Sequence, residues 1–153
     1  MKNIITTYIL FVIFTSLHSQ EINIYQDTKL ALMSDSYGNK PFTTDLIFNF
    51  KLKKNNYQAL ISYEYADLQK YYSRVSIGAG IYYNLIKQVE ISHDVNIGYI
   101  VRDCYNGISF GINNELSIIL NKIKINFMLQ STQRTDINEI RFSCFVGIGY
   151  CLN

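Results

Sequence analysis

The stretch "GISFGINNELSIIL", residues 107–120, alternates between apolar residues and small or polar ones. Ile108, Phe110 and Ile112 fall on one face of this stretch, whereas Ser109 falls on the other. A repeat of two residues is typical of a β-strand with two unlike faces. The fold depends on which face points inward, because a soluble barrel buries its apolar face and a membrane barrel exposes that face to lipid.

The same alternation recurs along most of the chain and predicts eight strands. Their predicted ranges are 24–34, 42–52, 57–66, 71–83, 89–102, 107–120, 123–134 and 139–152. The links between them are short, so we expect antiparallel neighbours in sequence order. The predicted fold class is all-β, an eight-stranded antiparallel up-and-down transmembrane β-barrel with short turns. Strands of this length can cross a bilayer when they are tilted.

Charged residues fall on only one face of the predicted strands. From the second strand to the eighth, the apolar faces carry no Asp, Glu, Lys or Arg, and His93 is their one histidine. The opposite faces carry Asp45, Lys51, Glu64, Arg74, Glu90, Asp94, Arg102, Glu115, Lys124, Arg134, Glu139 and Arg141. Asp27 and Lys29 join this set if the first strand keeps its alternation.

Glycines share the charged face. Glycine on a water-facing strand weakens the strand and covers nothing, but inside a narrow barrel it leaves room for long neighbours. The strand glycines are Gly78, Gly80, Gly98, Gly107, Gly111, Gly147 and Gly149. Aromatic residues gather near predicted strand ends, as interfacial girdles do; they are Phe42, Phe50, Tyr57, Tyr65, Tyr71, Tyr83, Tyr99 and Tyr150.

These patterns predict that the charged face points into the barrel. Ile108, Phe110 and Ile112 would then face lipid, whereas Ser109 and Glu115 would point inward. The alternative is a soluble periplasmic barrel, similar to the lipocalins, that encloses a small apolar ligand.

The first residues, "MKNIITTYILFVIFTSLHSQ", read as a secretory signal peptide. Lys2 is followed by an apolar run about half as long as the roughly 20 residues of a membrane-spanning helix. We predict a signal peptide over residues 1–19, cleaved after Ser19 or Gln20, and a single barrel domain over residues 20–153.

Composition excludes some partners and cofactors. The formal net charge is +2 and no basic cluster stands out, so nucleic acid is not an expected partner. The cysteines Cys104, Cys144 and Cys151 match no zinc spacing. Cys144 and Cys151 lie about 23 Å apart along one strand, at roughly 3.3 Å per residue, which is too far for a disulfide. We expect isolated thiols and no cofactor.

The inward charges are expected to form a network of ion pairs, since buried charges must be paired. Symmetric hairpins would place Glu64 opposite both Arg74 and Asp45, while Asp94 and Glu115 would face each other. The latter pair would need a nearby cation, such as Arg141 or Lys29. The network either fills the barrel as a structural core or lines a narrow, porin-like ion path.

The architecture resembles that of the small eight-stranded outer-membrane barrels, the OmpA-type transmembrane domain and OmpX. The end of the chain, "VGIGYCLN", is similar to the signal that the barrel-assembly machinery reads, through Gly147, Tyr150 and Leu152, although Leu152 stands where that signal has an aromatic residue. The resemblance implies a Gram-negative outer membrane with its lipid as partner, periplasmic termini and turns, and the links at 34–41, 67–70, 103–106 and 135–138 on the outside. It implies no particular surface partner.

Some barrels of this architecture are lipid A-modifying enzymes, with a His and a Ser on the lipid-facing wall. Here the neighbours of His93 on the same face are Ile91 and Val95, and the expected cross-strand neighbours include Leu116. No nucleophile or orienting acid is expected within reach, so the predicted function is non-enzymatic, either structural or as a surface contact.

Overall fold

The computed structural model describes residues 19–33, 39–68, 71–102, 105–135 and 138–152. Eight antiparallel strands in sequence order form a closed barrel, in which β8 pairs with β1. The strands are β1 Ser19–Asp27, β2 Asp45–Lys54, β3 Tyr57–Asp67, β4 Tyr71–Ile86, β5 Val89–Arg102, β6 Tyr105–Leu120, β7 Ile123–Arg134 and β8 Glu139–Cys151. The predicted fold class is confirmed.

The prediction was wrong about the first strand. β1 ends at Asp27, seven residues earlier than expected, and a one-turn helix, α1, follows over Thr28–Leu32. The side chain of Asp27 stops the strand because it accepts hydrogen bonds from the backbone N–H groups of Lys29 and Leu30, at 2.7 and 3.0 Å. Lys29 therefore lies in α1 rather than on an inward strand face. Residues 1–18 of the predicted signal peptide, and Cys104, lie outside the described residues.

The two ends of the barrel differ in their connections. At one end, here the turn end, two-residue turns at 55–56, 87–88 and 121–122 join the strands. Asn55 and Asn121 adopt positive φ angles of 55° and 59°, a conformation that asparagine tolerates better than most residues. The opposite end, here the loop end, holds α1 and the remaining connections.

The faces of each strand have opposite polarity. Ile108, Phe110 and Ile112 point outward with 49, 53 and 43% of their surface exposed, whereas Ser109 and Glu115 are buried at 0 and 3%. The same alternation runs around the barrel. Within the described residues, no helix is long and apolar enough to cross a membrane.

The interior also contains apolar side chains, which the sequence patterns did not predict. One buried cluster comprises Tyr25, Ile47, Met128 and Phe145. Another, formed by residues of β3, β4 and β5 near the loop end, comprises Ala66, Tyr72 and Ile100. The lumen is therefore packed by apolar as well as charged side chains.

Candidate functional site: the barrel lumen and its outer wall

Four charged side chains meet inside the turn end, and we call them the turn-end cluster: Glu21, Lys53, Glu90 and Lys124. Lys53 Nζ lies 2.8 Å from Glu21 Oε1 and 2.5 Å from Glu90 Oε1. Lys124 Nζ lies 2.8 Å from each of the same two oxygens. Two lysines thus share two carboxylates, and each ion has a partner on either side.

The turn-end cluster is shielded from solvent, since its four side chains are at most 5% exposed. The Tyr82 ring lies under Lys53 Nζ, at 4.6 Å from the ring centroid, and adds a cation–π contact. Because β1, β2, β5 and β7 each supply one member, the cluster joins well-separated parts of the wall across the lumen.

A second buried ion pair lies further along the lumen. Lys51 Nζ donates to both carboxylate oxygens of Glu115, at 2.9 and 3.0 Å, and Tyr25 Oη donates to Oε2 at 2.6 Å. Ser117 Oγ donates to Oε1 at 3.0 Å. The expected cation was wrong: Lys51, and neither Arg141 nor Lys29, balances Glu115.

Asp94 and Glu115 do not face each other as expected. In the observed register Asp94 lies opposite Asn113, and Glu115 lies opposite Ser92. Asp94 Oδ1 instead accepts a hydrogen bond of 2.6 Å from Gln58 Nε2. The two carboxylates therefore have separate partners.

Arg74 is the centre of a hydrogen-bond network in the loop half of the lumen. It lies opposite Glu64 in the register, as predicted, and its Nη1 is 3.4 Å from Glu64 Oε2. Its Nε donates to Ser109 Oγ at 2.6 Å, and its Nη2 donates to Asn96 Oδ1. The predicted Asp45–Glu64 pairing was wrong, because Asp45 lies opposite Ala66.

A small polar cavity of about 60 Å³ opens at the loop end, and we call it the mouth cavity. Asp27, Asp45 and Glu64 contribute carboxylates to its lining, and Arg134 and Arg141 contribute guanidinium groups. Asp45 is 7% exposed, and its buried Oδ1 has no hydrogen-bond partner among the described residues. In the turn-end cluster Glu21 Oε2 also has no hydrogen-bond partner among the described residues, but Glu21 Oε1 is ion-paired with both lysines.

Two charged members of these networks were missed by the sequence analysis. Glu21 lies before the predicted start of the first strand, and Lys53 lies one residue beyond the predicted end of the second strand. The alternation of Glu21, Ile22, Asn23 and Ile24 was a usable signal. It was obscured because it begins at the predicted cleavage site of the signal peptide.

Gly147 has a packing role in β8. It lies opposite Tyr25 in the register, and a Cβ atom at this position would be 2.6 Å from Tyr25 Cδ1 and 2.4 Å from the Ile24 carbonyl oxygen. Tyr150 and Leu152 point outward at the turn end. Their role as an assembly signal stays a prediction.

On the outer wall, His93 of β5 and Asn114 of β6 lie opposite each other in the register. His93 Nδ1 and Asn114 Oδ1 are 2.6 Å apart. The expected cross-strand neighbour Leu116 was wrong by two positions, since Leu116 lies opposite Ile91. Asn114 therefore orients the imidazole, which the sequence analysis did not foresee.

No protein-family model and no curated protein sequence matches the chain. Solved structures share its fold at low identity. Ail of Yersinia pestis in a phospholipid bilayer nanodisc aligns with a TM-score of 0.60 and 12% identity, covering 88% of this chain and 99% of that one. Neisserial surface protein A aligns with a TM-score of 0.51 and 11% identity, covering 86% and 94%. A de novo designed transmembrane β-barrel aligns with a TM-score of 0.57 and 11% identity, covering 90% and 98%.

The chain thus has the fold of the small eight-stranded transmembrane barrels, as its outward apolar faces and polar lumen indicate. The soluble carrier alternative was wrong, because it requires an apolar interior and a polar outer surface. Among the described residues, no group of three or more His, Cys, Asp or Glu side chains is placed to hold a metal ion.

Proposed function

We propose that this protein is a non-enzymatic β-barrel of the outer membrane, which presents its loop end to the surroundings as a surface contact. The observation that carries the proposal is the combination of an apolar outer wall with a lumen that is packed with paired side chains. Such a barrel is anchored by lipid and is too full to act as a wide pore.

The turn-end cluster supports a closed lumen. Its four ions are held by hydrogen bonds of 2.5 to 2.8 Å, and opening a path there would separate buried charges. The cost of that separation favours a structural core over the ion path considered from the sequence.

The non-enzymatic part of the proposal rests on the outer wall. Around His93 the outward neighbours are Ile81, Ile91, Val95 and Asn114, and none of them can act as a nucleophile. A hydrolytic mechanism for a lipid A-modifying enzyme needs a nucleophile within hydrogen-bond reach of its base.

The loop end supports a contact role because it exposes large apolar side chains. Leu32, Met33 and Phe42 lie outside the strands, and 74, 63 and 87% of their surface is exposed. Exposed apolar clusters of this kind mark interaction sites. Two proteins of the same fold are described as an attachment invasion locus protein and as a surface protein, which is compatible with such a role here.

Export and insertion are part of the proposal. The chain would be exported by its amino-terminal signal peptide and inserted by the barrel-assembly machinery, which would read Gly147, Tyr150 and Leu152 on β8 and the residue after it. Both termini and the two-residue turns would then lie in the periplasm.

The first experiment is to express the whole chain and compare outer-membrane fractions on gels with and without boiling. A membrane-bound band that shifts on boiling is the expected result, because a closed barrel resists denaturation until heated. Recovery of the protein from the soluble periplasm would overturn the proposal.

The contact role needs a second experiment on the same cells. The triple variant Leu32→Ser, Met33→Ser and Phe42→Ser removes the exposed apolar groups, and Leu85→Ser with Ile86→Ser, at the turn end, is the control. We expect only the loop-end variant to reduce attachment of the cells to protein-coated surfaces. If cells with either variant attach equally well, and both variants still give heat-shifted bands, the contact role is contradicted and the structural role replaces it.

A further inference from the structure

The outer wall contains a feature that neither the fold nor the proposed function uses, namely the His93–Asn114 pair. Both side chains point outward and are exposed. They lie on adjacent strands, directly opposite each other in the register, and share one hydrogen bond of 2.6 Å.

The surroundings of this pair are apolar. Along β5 the neighbours on the same face are Ile91 and Val95, and along β6 they are Ile112 and Leu116. Across the adjoining strands they are Ile81 and Leu129. The pair thus lies within the wall that faces lipid, where polar side chains are costly and commonly mark a functional contact.

The shared hydrogen bond leaves the amide nitrogen of Asn114 and the second imidazole nitrogen of His93 without a partner among the described residues. Asn114 Oδ1 is an acceptor, so the neutral imidazole presents its N–H at Nδ1 and a lone pair at Nε2. The Asn114 amide then retains Nδ2 as a donor. No other described residue bonds to either side chain.

These two groups complement each other across a two-fold axis. Two barrels inserted in the same direction can be related only by an axis along the membrane normal, which brings the same depth of both walls together. An axis that passes between β5 and β6 places each His93 opposite the partner's Asn114. In such an isologous interface every contact occurs twice.

We propose that the β5–β6 wall is a dimer interface with a second copy of this chain. Asn114 Nδ2 of each copy donates to the imidazole Nε2 of the partner's His93, so two reciprocal hydrogen bonds form. Lipid tails offer no such partner, whereas a second copy supplies both the donor and the acceptor.

The shape of the adjacent wall permits close approach. A shallow groove runs beside the pair, where Ala79 is a small outward residue among the larger Ile77, Val95, Ile97 and Phe110 and leaves room for a facing side chain. Small residues at membrane interfaces allow neighbouring backbones to approach and strengthen van der Waals contact.

The test uses the whole exported chain, labelled at its amino terminus with donor or acceptor dyes and reconstituted in phosphatidylcholine vesicles. Energy transfer between copies is followed as the lipid-to-protein ratio rises. The test variant is His93→Leu with Asn114→Leu. The control is Ile24→Leu with Phe48→Leu, another outward pair in register, on β1 and β2.

We expect the wild type and the control to dimerise alike. The association constant of the test variant should fall by up to about tenfold, since each lost hydrogen bond between membrane segments carries a modest energy. The exchange variant, His93→Asn with Asn114→His, preserves both bonding groups and should dimerise like wild type. It keeps the test decisive if the leucine variant folds poorly.

Wild type that stays monomeric at every lipid ratio, while its band still shifts on boiling, would overturn the dimer. Equal association of the leucine variant and wild type would do the same, and so would an exchange variant that dissociates. The proposed function is tested separately, because the heat-shifted band reports the membrane barrel whether or not copies associate.

Discussion

The two ends of the lumen stabilise their buried charges in different ways. In the turn-end cluster, Lys53 and Lys124 each bind both Glu21 and Glu90, so every charge has two opposite neighbours. In the mouth cavity, Asp45 is almost as deeply buried, but no ion pair joins it to another described residue, and its Oδ1 has no hydrogen-bond partner there.

The difference follows from what surrounds each end. Short turns close one end tightly, so water cannot compensate an unpaired ion there, and ion pairing has to offset the desolvation of each charge. The loop end contains a cavity large enough for water, which can hydrate a carboxylate that lacks a protein partner. Three substitutions test this contrast and a fourth tests packing, all measured by urea titration of the folded band on unheated gels.

Lys124→Met should have the largest effect. It leaves Glu21 and Glu90 to share Lys53 alone, and removing one partner from a buried ionic group lowers the free energy of unfolding by about 3–5 kcal/mol. The double variant Lys124→Met with Glu90→Gln restores one cation to one anion and should recover part of the loss. If both variants lose the same amount, charge pairing is not what stabilises the turn end.

Arg74→Met should have a smaller effect, although it removes donors to Ser109, Asn96 and Glu64. We expect a loss of about 2–3 kcal/mol, because hydrogen bonds to charged groups contribute that much and Glu64 lines the mouth cavity, where water can reach it. Arg74→Lys, which keeps the charge, should lose less. A loss greater than that of Lys124→Met would show that charge pairing contributes more stability in the loop half of the lumen than at the turn end.

Gly147→Ala tests side-chain packing in the lumen rather than charge pairing. A methyl group would meet the Tyr25 ring and the Ile24 carbonyl, and overpacking of this kind costs about 1–3 kcal/mol. The same titration, together with the amount of protein inserted, separates packing from assembly. Unchanged stability of the folded fraction with a reduced yield would indicate that Gly147 acts in the assembly signal instead.

Asp45→Asn should have the smallest effect and the opposite sign. It keeps the shape of the side chain and removes a buried carboxylate whose Oδ1 has no hydrogen-bond partner among the described residues, so we expect no loss and a gain of up to about 1 kcal/mol. Glu115→Gln makes the same chemical change where the carboxylate is paired with Lys51, and it should be clearly destabilising. Equal effects at both sites would show that the ends do not differ.

Much of the fold was predictable from the sequence because a strand in lipid obeys a strict rule. Every second residue must be apolar, so β5 and β7 were predicted with both ends correct. β1 was misplaced because its alternation begins where the signal peptide was expected to end. α1 was missed because its start depends on the hydrogen bonds of a single side chain, Asp27.

The sites were less predictable. Strand parity showed that Glu115 points inward, but its partner Lys51 lies on β2, far away in sequence and on the other side of the lumen. The Glu64–Arg74 pair was predicted because a short hairpin joins its strands. His93 was seen as isolated because the register between β5 and β6 was misjudged by two residues, which hid Asn114.

The sequence by itself therefore determined the number of strands, their order and which strand residues point outward, since these depend on local alternation and short links. Only the tertiary structure decided which charges meet across the lumen, where apolar clusters interrupt them and which wall residues are neighbours. The physical reason is that closing the barrel sets the stagger of the strands, and this stagger brings together side chains that no local pattern relates.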